Sequence, residues 1–270
     1  MRHLRPRGLD MQDALLQSEH LLDVRDLVVR FGGIVALDGV SFSVGRGEIL
    51  ALIGPNGAGK TTLFNVITGV YRPTSGDVSL ESVSLKSVKR YRIARMGIAR
   101  TFQNIRLFGG MTVLENVAVG LGVHHKTHIL GALFRTPRHC REEREIVERG
   151  LEILDMVGIA QDAYKLAGSL SYGSQRRLEI ARALACQPKL LCLDEPAAGF
   201  NPAEKNQLVE LILKIRDAGY SILLIEHDMK LIFDVADRVV VLDFGKKIAD
   251  GLPDDVRNDP HVIAAYLGEG

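Results

Sequence analysis

Cysteine is scarce. The 270 residues hold three, Cys140, Cys186 and Cys192, none in a C-x-x-C pair, so neither a disulfide framework nor a thiolate metal site is indicated and reduced cytosolic thiols are expected. An excess of charge is missing as well: 34 Lys and Arg stand against 33 Asp and Glu, which excludes the global field that draws proteins to nucleic acid or an acidic membrane. No nucleic-acid partner is expected. No run approaches the roughly 18 uninterrupted apolar residues of a membrane helix, so any membrane link has to pass through partner subunits. The segment Met1 to His20 opens with Arg2, Arg5 and Arg7, but Asp10, Gln12 and Asp13 break its apolar content, and the apolar stretch of a signal peptide is lacking. Residues 1–20 therefore read as a loose tail. No internal repeat is present.

What the chain does have is the ordinary globular balance, 46% hydrophobic and 25% charged, enough for one nucleotide-binding domain with a subdomain. Ile49 to Ile53, Leu190 to Leu193, Tyr220 to Ile225 and Val239 to Leu242 are short apolar runs bounded by turn or charged residues, the pattern of buried strands. Between them lie helical patterns, one opening on Asn201 as cap with Pro202 in its first turn, presenting Leu208, Leu211, Ile212 and Ile215, and stopping at Gly219. This alternation predicts an α/β core around a largely parallel sheet, with ligands at the carboxyl ends of the strands. Leu22 to Phe31 and Val40 to Val44 predict a small antiparallel β-layer ahead of it. Residues 104–185 lack strand runs and predict a helical subdomain, including a helix over Glu142 to Val157 ended by Gly158. A last helix is expected after Asp259 and Pro260, with Val262, Ile263, Tyr266 and Leu267 facing one way.

Directly after the first buried strand comes Gly54, Pro55, Asn56, Gly57, Ala58, Gly59, Lys60, Thr61, Thr62, which matches the phosphate-loop pattern G-x-x-x-x-G-K-[ST] with strand and helix in the required places. Glycines let the backbone fold around phosphates with amides inward, and the helix start adds its positive dipole end. Lys60 would neutralise the β and γ phosphates, and Thr61 would offer its hydroxyl to Mg²⁺. At the end of the Leu190 to Leu193 run stand Asp194 and Glu195. Alone, such a pair is a strand meeting solvent; after a phosphate loop, Asp194 is the candidate to hold Mg²⁺ through its water shell and Glu195 to deprotonate an attacking water.

Many ATPases and kinases share those two features, so the class turns on Leu170, Ser171, Tyr172, Gly173, Ser174, Gln175 and the helix expected from about Gln175 to Ala185. Here the chain resembles the ABC ATPase family, whose signature runs L-S-G-G-Q. Tyr172 stands where Gly is usual and Ser174 where Gln is usual. Ser171 can cap the helix and Gly173 leaves its backbone open, so the helix dipole is directed at an anion. The resemblance implies that this anion is the γ-phosphate bound by a second subunit, with ATP between two copies.

Further positions match the family in order. Phe31 corresponds to the aromatic that stacks on adenine, although a Phe closing a strand can equally be core. Gln103 corresponds to the glutamine that looks toward Mg²⁺ and links core to helical subdomain, and His227 to the histidine that contacts the γ-phosphate. Asn201 stands where Asp is commoner. Within the family the chain resembles the ATP-binding subunit of Liv-type branched-chain amino acid importers, on Glu195 to Pro202, Ile225 to Met229, the signature segment and the closing Asp-Pro-His-Val-Ile-Ala-Ala-Tyr-Leu-Gly. His124, His125 and His128 lie in a stretch that also looks like that group, and no carboxylate or cysteine is placed to complete a metal site with them.

The resemblance implies a P-loop NTPase (RecA-like) core with an antiparallel β subdomain and an inserted α-helical subdomain, all within residues 21–270. ATP and Mg²⁺ are the implied cofactors. The implied partners are a second ATPase subunit, identical or related, transmembrane permease subunits and, indirectly, a periplasmic or extracellular binding protein, with the chain held at the cytoplasmic face of the inner membrane. Competing readings are a lipopolysaccharide-export ATPase, a soluble ABC protein of DNA repair or the ribosome, and a phosphate-loop kinase. The soluble classes need long coiled coils or two cassettes, which 270 residues do not hold. A kinase would not need Ser171 to Gln175.

Overall fold

Two sheets organise the chain, and the apolar pattern of each strand decides which one it joins. In the computed structural model, residues 20–122 and 137–267 are described. Strands β3 (Ile49–Ile53), β7 (Leu190–Asp194) and β8 (Ser221–Ile225) are buried at every position, as strands covered on both faces must be. With β6 (Ile98–Arg100), β9 (Arg238–Asp243) and β10 (Lys246–Gly251) they form one sheet in the order β10-β9-β3-β8-β7-β6, parallel except for β10. The second sheet is antiparallel, in the order β2-β1-β4-β5, from β1 (His20–Phe31), β2 (Ile34–Gly45), β4 (Ser75–Leu80) and β5 (Val83–Ser84). The sequence pattern hid β4 and β5, because Ser-Gly-Asp-Val-Ser-Leu buries only Val78 and Leu80 and lacks a continuous apolar run.

Helices fill both faces of the parallel sheet. Helix α1 (Lys60–Ile67) lies on the side of the antiparallel sheet, where Phe64, Leu63 and Ile67 join Leu22, Leu37 and Val40 in one apolar cluster. On the other side α3 (Val113–Leu121), α4 (Pro137–Met156), α5 (Tyr172–Ala185) and α6 (Pro202–Asp217) share a second cluster. A short helix, α2 (Arg90–Met96), precedes β6. Helices α7 (Met229–Val235), α8 (Pro253–Arg257) and α9 (Pro260–Leu267) close the β9 edge.

Helix α6 starts where capping chemistry directs: Asn201 accepts from the Glu204 amide at 3.0 Å, and Glu204 accepts from the Asn201 amide at 2.9 Å. It buries Leu208, Leu211, Ile212 and Ile215. One expectation needs correction. Helix α5 begins at Tyr172 rather than near Gln175, because the Ser171 hydroxyl accepts from the Ser174 amide at 3.3 Å and opens the helix there. In α9, Val262, Ile263 and Tyr266 face one way and line a single recess with Met229 and Phe233, Val262 buried and the other two 45% and 37% exposed. Residues 1–19, His124, His125, His128 and the side chains of Cys140 and Leu267 lie outside the described residues.

Candidate functional site

The phosphate-loop sequence leaves β3 and turns at once. Gly54 has φ 145°, and a Cβ there would lie 2.0 Å from the Leu242 carbonyl oxygen, so no other residue fits the loop this close to the end of β9. Gly59, at φ 101°, is pressed the same way against the Ala36 carbonyl of β2, where a Cβ would sit at 2.7 Å. Helix α1 then begins, with Leu63 N–H donating to Gly59 at 2.9 Å. Lys60 is buried, and its ammonium donates to the Gly54 and Pro55 carbonyls inside the loop. Asn56, Gly57 and Thr61 are exposed, Ala58 is buried, and Thr62 is half-buried in the first helical turn. The result is a tight glycine-cornered loop around the Lys60 ammonium at a helix N-terminus, the form that receives phosphates.

Three separate segments bring polar side chains together at the ends of β7 and β8. Glu195 follows β7 with φ 48°, a left-handed conformation that costs a non-glycine residue, and its amide donates to the Ile225 carbonyl at 2.9 Å. Its carboxylate oxygens are both engaged: Oε2 accepts from Gln103 Nε2 at 2.8 Å, and Oε1 lies 2.8 Å from His227 Nε2. Gln103, Glu195 and His227 thus form one cluster although 92 and 32 residues separate the partners from Glu195. A carboxylate with its oxygens fixed and one fifth of its side chain still open to solvent can receive a proton from a nearby water.

Beneath this cluster lies Glu226, which is buried; its carboxylate accepts from the Ala197 amide at 2.7 Å and the His227 amide at 3.0 Å. Burial pushes its carboxyl above the usual range, the backbone hydrogen bonds oppose that, and the nearby Glu195 charge adds to the rise. Asp194 is buried and pairs with Arg100 at 2.6 Å, and Arg100 also donates to Asn65 of α1 at 2.7 Å. The guanidinium stands over both Phe64 and Phe102 rings, at 5.4 and 5.5 Å. One buried arginine therefore ties the phosphate-loop helix to the acidic strand.

Arg176 performs a matching connection from α5. It donates to the Phe102 carbonyl at 2.8 Å, to the Gln103 carbonyl and to Glu179 at 3.1 Å, and Arg176 and Glu179 are themselves buried. Burial raises the Glu179 carboxyl, against its bonds to the Phe102 amide and Arg176. The helix that carries the signature is thus bonded to the backbone of the glutamine.

Ser171 and Gly173 are not part of the Glu195 cluster. They line a separate recess with Ile159, Gln161, Phe200 and Gln207, which contains no phosphate-loop residue. Ser171 is exposed, and its hydroxyl serves the start of α5 and Ser174. Tyr172 is 47% exposed, donates to the Ala198 carbonyl at 3.1 Å and meets Phe200 edge-on at 6.3 Å. The unusual residue of the signature therefore rests on the loop that follows Glu195.

Phe31 is not a core residue. It is 45% exposed at the β1–β2 turn and meets Tyr71 edge-on at 5.2 Å, forming an aromatic step on the hairpin whose Ala36 presses on Gly59. Sequence reasoning passed over Tyr71, Arg100, Arg176 and Glu226. The available signal was a charged residue lodged in an otherwise buried run, as in Ile98-Ala-Arg100 and Ile225-Glu226.

Comparison with known proteins follows the same geometry. A family profile described as ABC transporter matches residues 37–198, and one described as Branched-chain amino acid ATP-binding cassette transporter matches residues 246–270. The chain is 47% identical over 253 residues to the high-affinity branched-chain amino acid transport ATP-binding protein BraF of Pseudomonas aeruginosa, covering 93% of this chain and 99% of that one. It has the same identity and coverage with the protein of that description named LivG in Escherichia coli K12. Among solved structures, it matches an ATP-binding cassette of an ABC transporter, MJ1267, in its ADP conformation, with a TM-score of 0.80, 35% identity, and coverage of 92% and 99%.

Proposed function

The chain belongs to the ABC transporter family and is an ATPase of that class, and on this premise we propose that it powers branched-chain amino acid import through partner permease subunits. The C-terminal match over residues 246–270 supports that cargo over lipopolysaccharide export. The observation that carries the ATPase mechanism is the Glu195 carboxylate fixed between Gln103 and His227 at the end of β7, with β8 alone between that strand and β3, which leads into the phosphate loop.

In this reading Lys60 leaves the Gly54 and Pro55 carbonyls to bind the phosphates of ATP, and Phe31 with Tyr71 receives the adenine. Gly54 to Thr62 wrap the phosphates with their amides. Mg²⁺ would be held by Thr61, Gln103 and, through its water shell, Asp194, and would supply charge neutralisation on the transferring phosphoryl group. Glu195 takes the proton of the attacking water. His227 holds Glu195 from one side and reaches the γ-phosphate, while Gln103 steadies it from the other. Ser171 and Gly173 of a second subunit close over the γ-phosphate, so each chain supplies two unlike half-sites.

Residues 104–185 act as the helical subdomain that receives the permease. A groove of about 600 Å³ supports that docking place: Ile93, Leu107, Phe108 and Val119 give it apolar walls, and Phe102 sets it directly beside Gln103. No described helix is long and apolar enough to cross a membrane, so attachment at the cytoplasmic face goes through those subunits.

The test is complementation between two inactive chains. Glu195→Gln removes the base and Gly173→Asp places a charge where the second subunit's phosphate would sit; each alone should stop hydrolysis. Mixed, they form dimers with one intact site, and hydrolysis should return. Failure of every mixture to recover would overturn the shared site. Leucine uptake by the chain reconstituted with its permeases tests the cargo.

A further inference from the structure

The near-zero net charge of the chain conceals a strong local imbalance. Between Ser82 and Leu114 there are seven Lys and Arg and no Asp or Glu, so with a whole-chain formal charge of +1 the rest of the molecule carries −6. Most of those cations gather on and just before α2. Lys86, Lys89, Arg90, Arg92 and Arg95 are all exposed, and among the described residues none has a carboxylate within ion-pair distance. Several cations elsewhere are paired: Arg46 and Lys189 share Glu81, and Arg238 holds both Glu48 and Asp250.

The surface is more than charged. Tyr91 is 53% exposed in its middle, with the Arg92 and Arg95 guanidinium carbons each 5.9 Å from the ring centroid. An amphipathic aromatic among cations is the composition of a surface that meets lipid headgroups. Helix α2 is held firmly beneath it. Ile93 is buried on the opposite side, so close to Gly69 that a Cβ on that glycine would fall 2.5 Å from the Ile93 Cδ1. The patch therefore stands on the end of the phosphate-loop helix. Its neighbour Arg90 also lines the groove described above, next to Ile93 and Ala94, which sets the patch at the rim of the permease side.

We propose that the acid-free face of Lys86, Lys89, Tyr91, Arg92 and Arg95 is an electrostatic contact for the anionic headgroups of the membrane that holds the permease. This rests on the transporter reading, which puts a membrane beside the groove. Headgroups are favoured over an acidic protein segment because Tyr91, Arg92 and Arg95 stand on the open outer face, outside the recess that Lys86, Lys89 and Arg90 line beside Gly69 and Tyr71. Polybasic surfaces of this size bind anionic bilayers reversibly, and the attraction falls within about one Debye length, roughly 8 Å at physiological salt.

The experiment is flotation of the purified full chain with vesicles of phosphatidylcholine alone or with phosphatidylglycerol added. Binding should require the anionic lipid and fade as salt rises from about 0.05 to about 0.5 M. Arg92→Glu/Arg95→Glu, outside the groove lining, should lower the bound fraction roughly tenfold or more, with ATP hydrolysis unchanged. Lys214→Glu/Lys230→Glu makes the same charge change elsewhere and should keep binding. If the first pair lowers hydrolysis through misfolding, Arg92→Gln/Arg95→Gln is read in its place.

Equal flotation with both vesicle types, or equal loss in both charge-reversed pairs, overturns the proposal. So does a patch variant that still floats but no longer co-purifies with the permease, which would assign the face to protein. Absence of hydrolysis in the wild-type chain would count against the transporter reading instead, so the two failures are separable.

Discussion

The ends of β7 and β8 and the start of α5 are built on opposite plans. At the first, polar groups are held across segments: Glu195 by Gln103 and His227, Asp194 by Arg100, and the Ala197 amide by buried Glu226, which also accepts from the amide of its neighbour His227. Glu195 even keeps a left-handed backbone there, which persists only where surroundings over-determine it. At the second, Ser171 is exposed and its hydroxyl serves its own helix start, while Tyr172 lies half open over the Ala198 carbonyl. The contrast teaches how one chain can serve two sites. On the proposed function, the base must be preorganised before substrate arrives, whereas a turn that acts on a neighbouring molecule's nucleotide has to stay accessible.

The hardest test of that contrast is Glu195→Gln. General base catalysis is worth about 10²- to 10⁴-fold, so steady-state hydrolysis should fall by that order while nucleotide binding, read by fluorescence or calorimetry, is kept. Normal turnover would mean that the carboxylate fixed between Gln103 and His227 is not the base. Lys60→Ala comes next. It removes charge-assisted bonds worth about 1.5–3 kcal/mol, and nucleotide should bind roughly 10- to 100-fold more weakly. A Kd equal to wild type would detach the loop from the nucleotide.

Glu226 sharpens the same side of the comparison. Glu226→Ala leaves the buried Ala197 amide, at about 1–3 kcal/mol, and the part-buried His227 amide without their acceptor, and kcat should drop more than KM changes because the groups displaced are those proposed to aim Glu195. Glu226→Gln keeps one acceptor oxygen and should cost less. Its pH behaviour is diagnostic. A carboxyl raised above its ordinary 4.5 favours the folded state fully below that value, and the contribution is lost as pH rises through the raised value. Wild-type stability should therefore slope downward with rising pH in that window relative to Glu226→Gln; parallel denaturation curves for the two would contradict it.

Reading the sequence reached unequal depth in these regions. In the parallel sheet β3, β7, β8 and β9 were legible because burial on both faces leaves unbroken apolar runs, as at Ile49 to Ile53 and Ile222 to Ile225. The α6 start was legible because Asn201, Pro202 and Glu204 are local capping chemistry. Strands β4, β5, β6 and β10 were not, being short or exposed on one side, with pairing set by partners distant in the chain. The same division holds for the site. The phosphate loop lies within nine consecutive residues, so its pattern is visible. What joins its helix to Asp194 is Arg100, and what joins the signature helix to Gln103 is Arg176, 73 residues away. A charge that is buried because of two distant partners looks in sequence like a charge at a surface, and only the packed structure distinguishes them.

The smallest expected effect tests the loose side of the comparison. Tyr172→Phe deletes the hydroxyl that donates to the Ala198 carbonyl and leaves the ring against Phe200 and Arg176 in place. An exposed neutral hydrogen bond contributes about 0.5–1.5 kcal/mol, and because both groups can turn to water the loss should fall at the low end of that range. In a chain of this size that is a Tm shift of about 1–3 °C, with hydrolysis changed less than in either Glu226 variant. Should Tyr172→Phe instead stop hydrolysis as thoroughly as Glu195→Gln, the bond to Ala198 would be transmitting the position of the turn to the loop behind Glu195. The two regions would then be one mechanical unit, and the exposed half-site would be as fully specified within its own chain as the buried one.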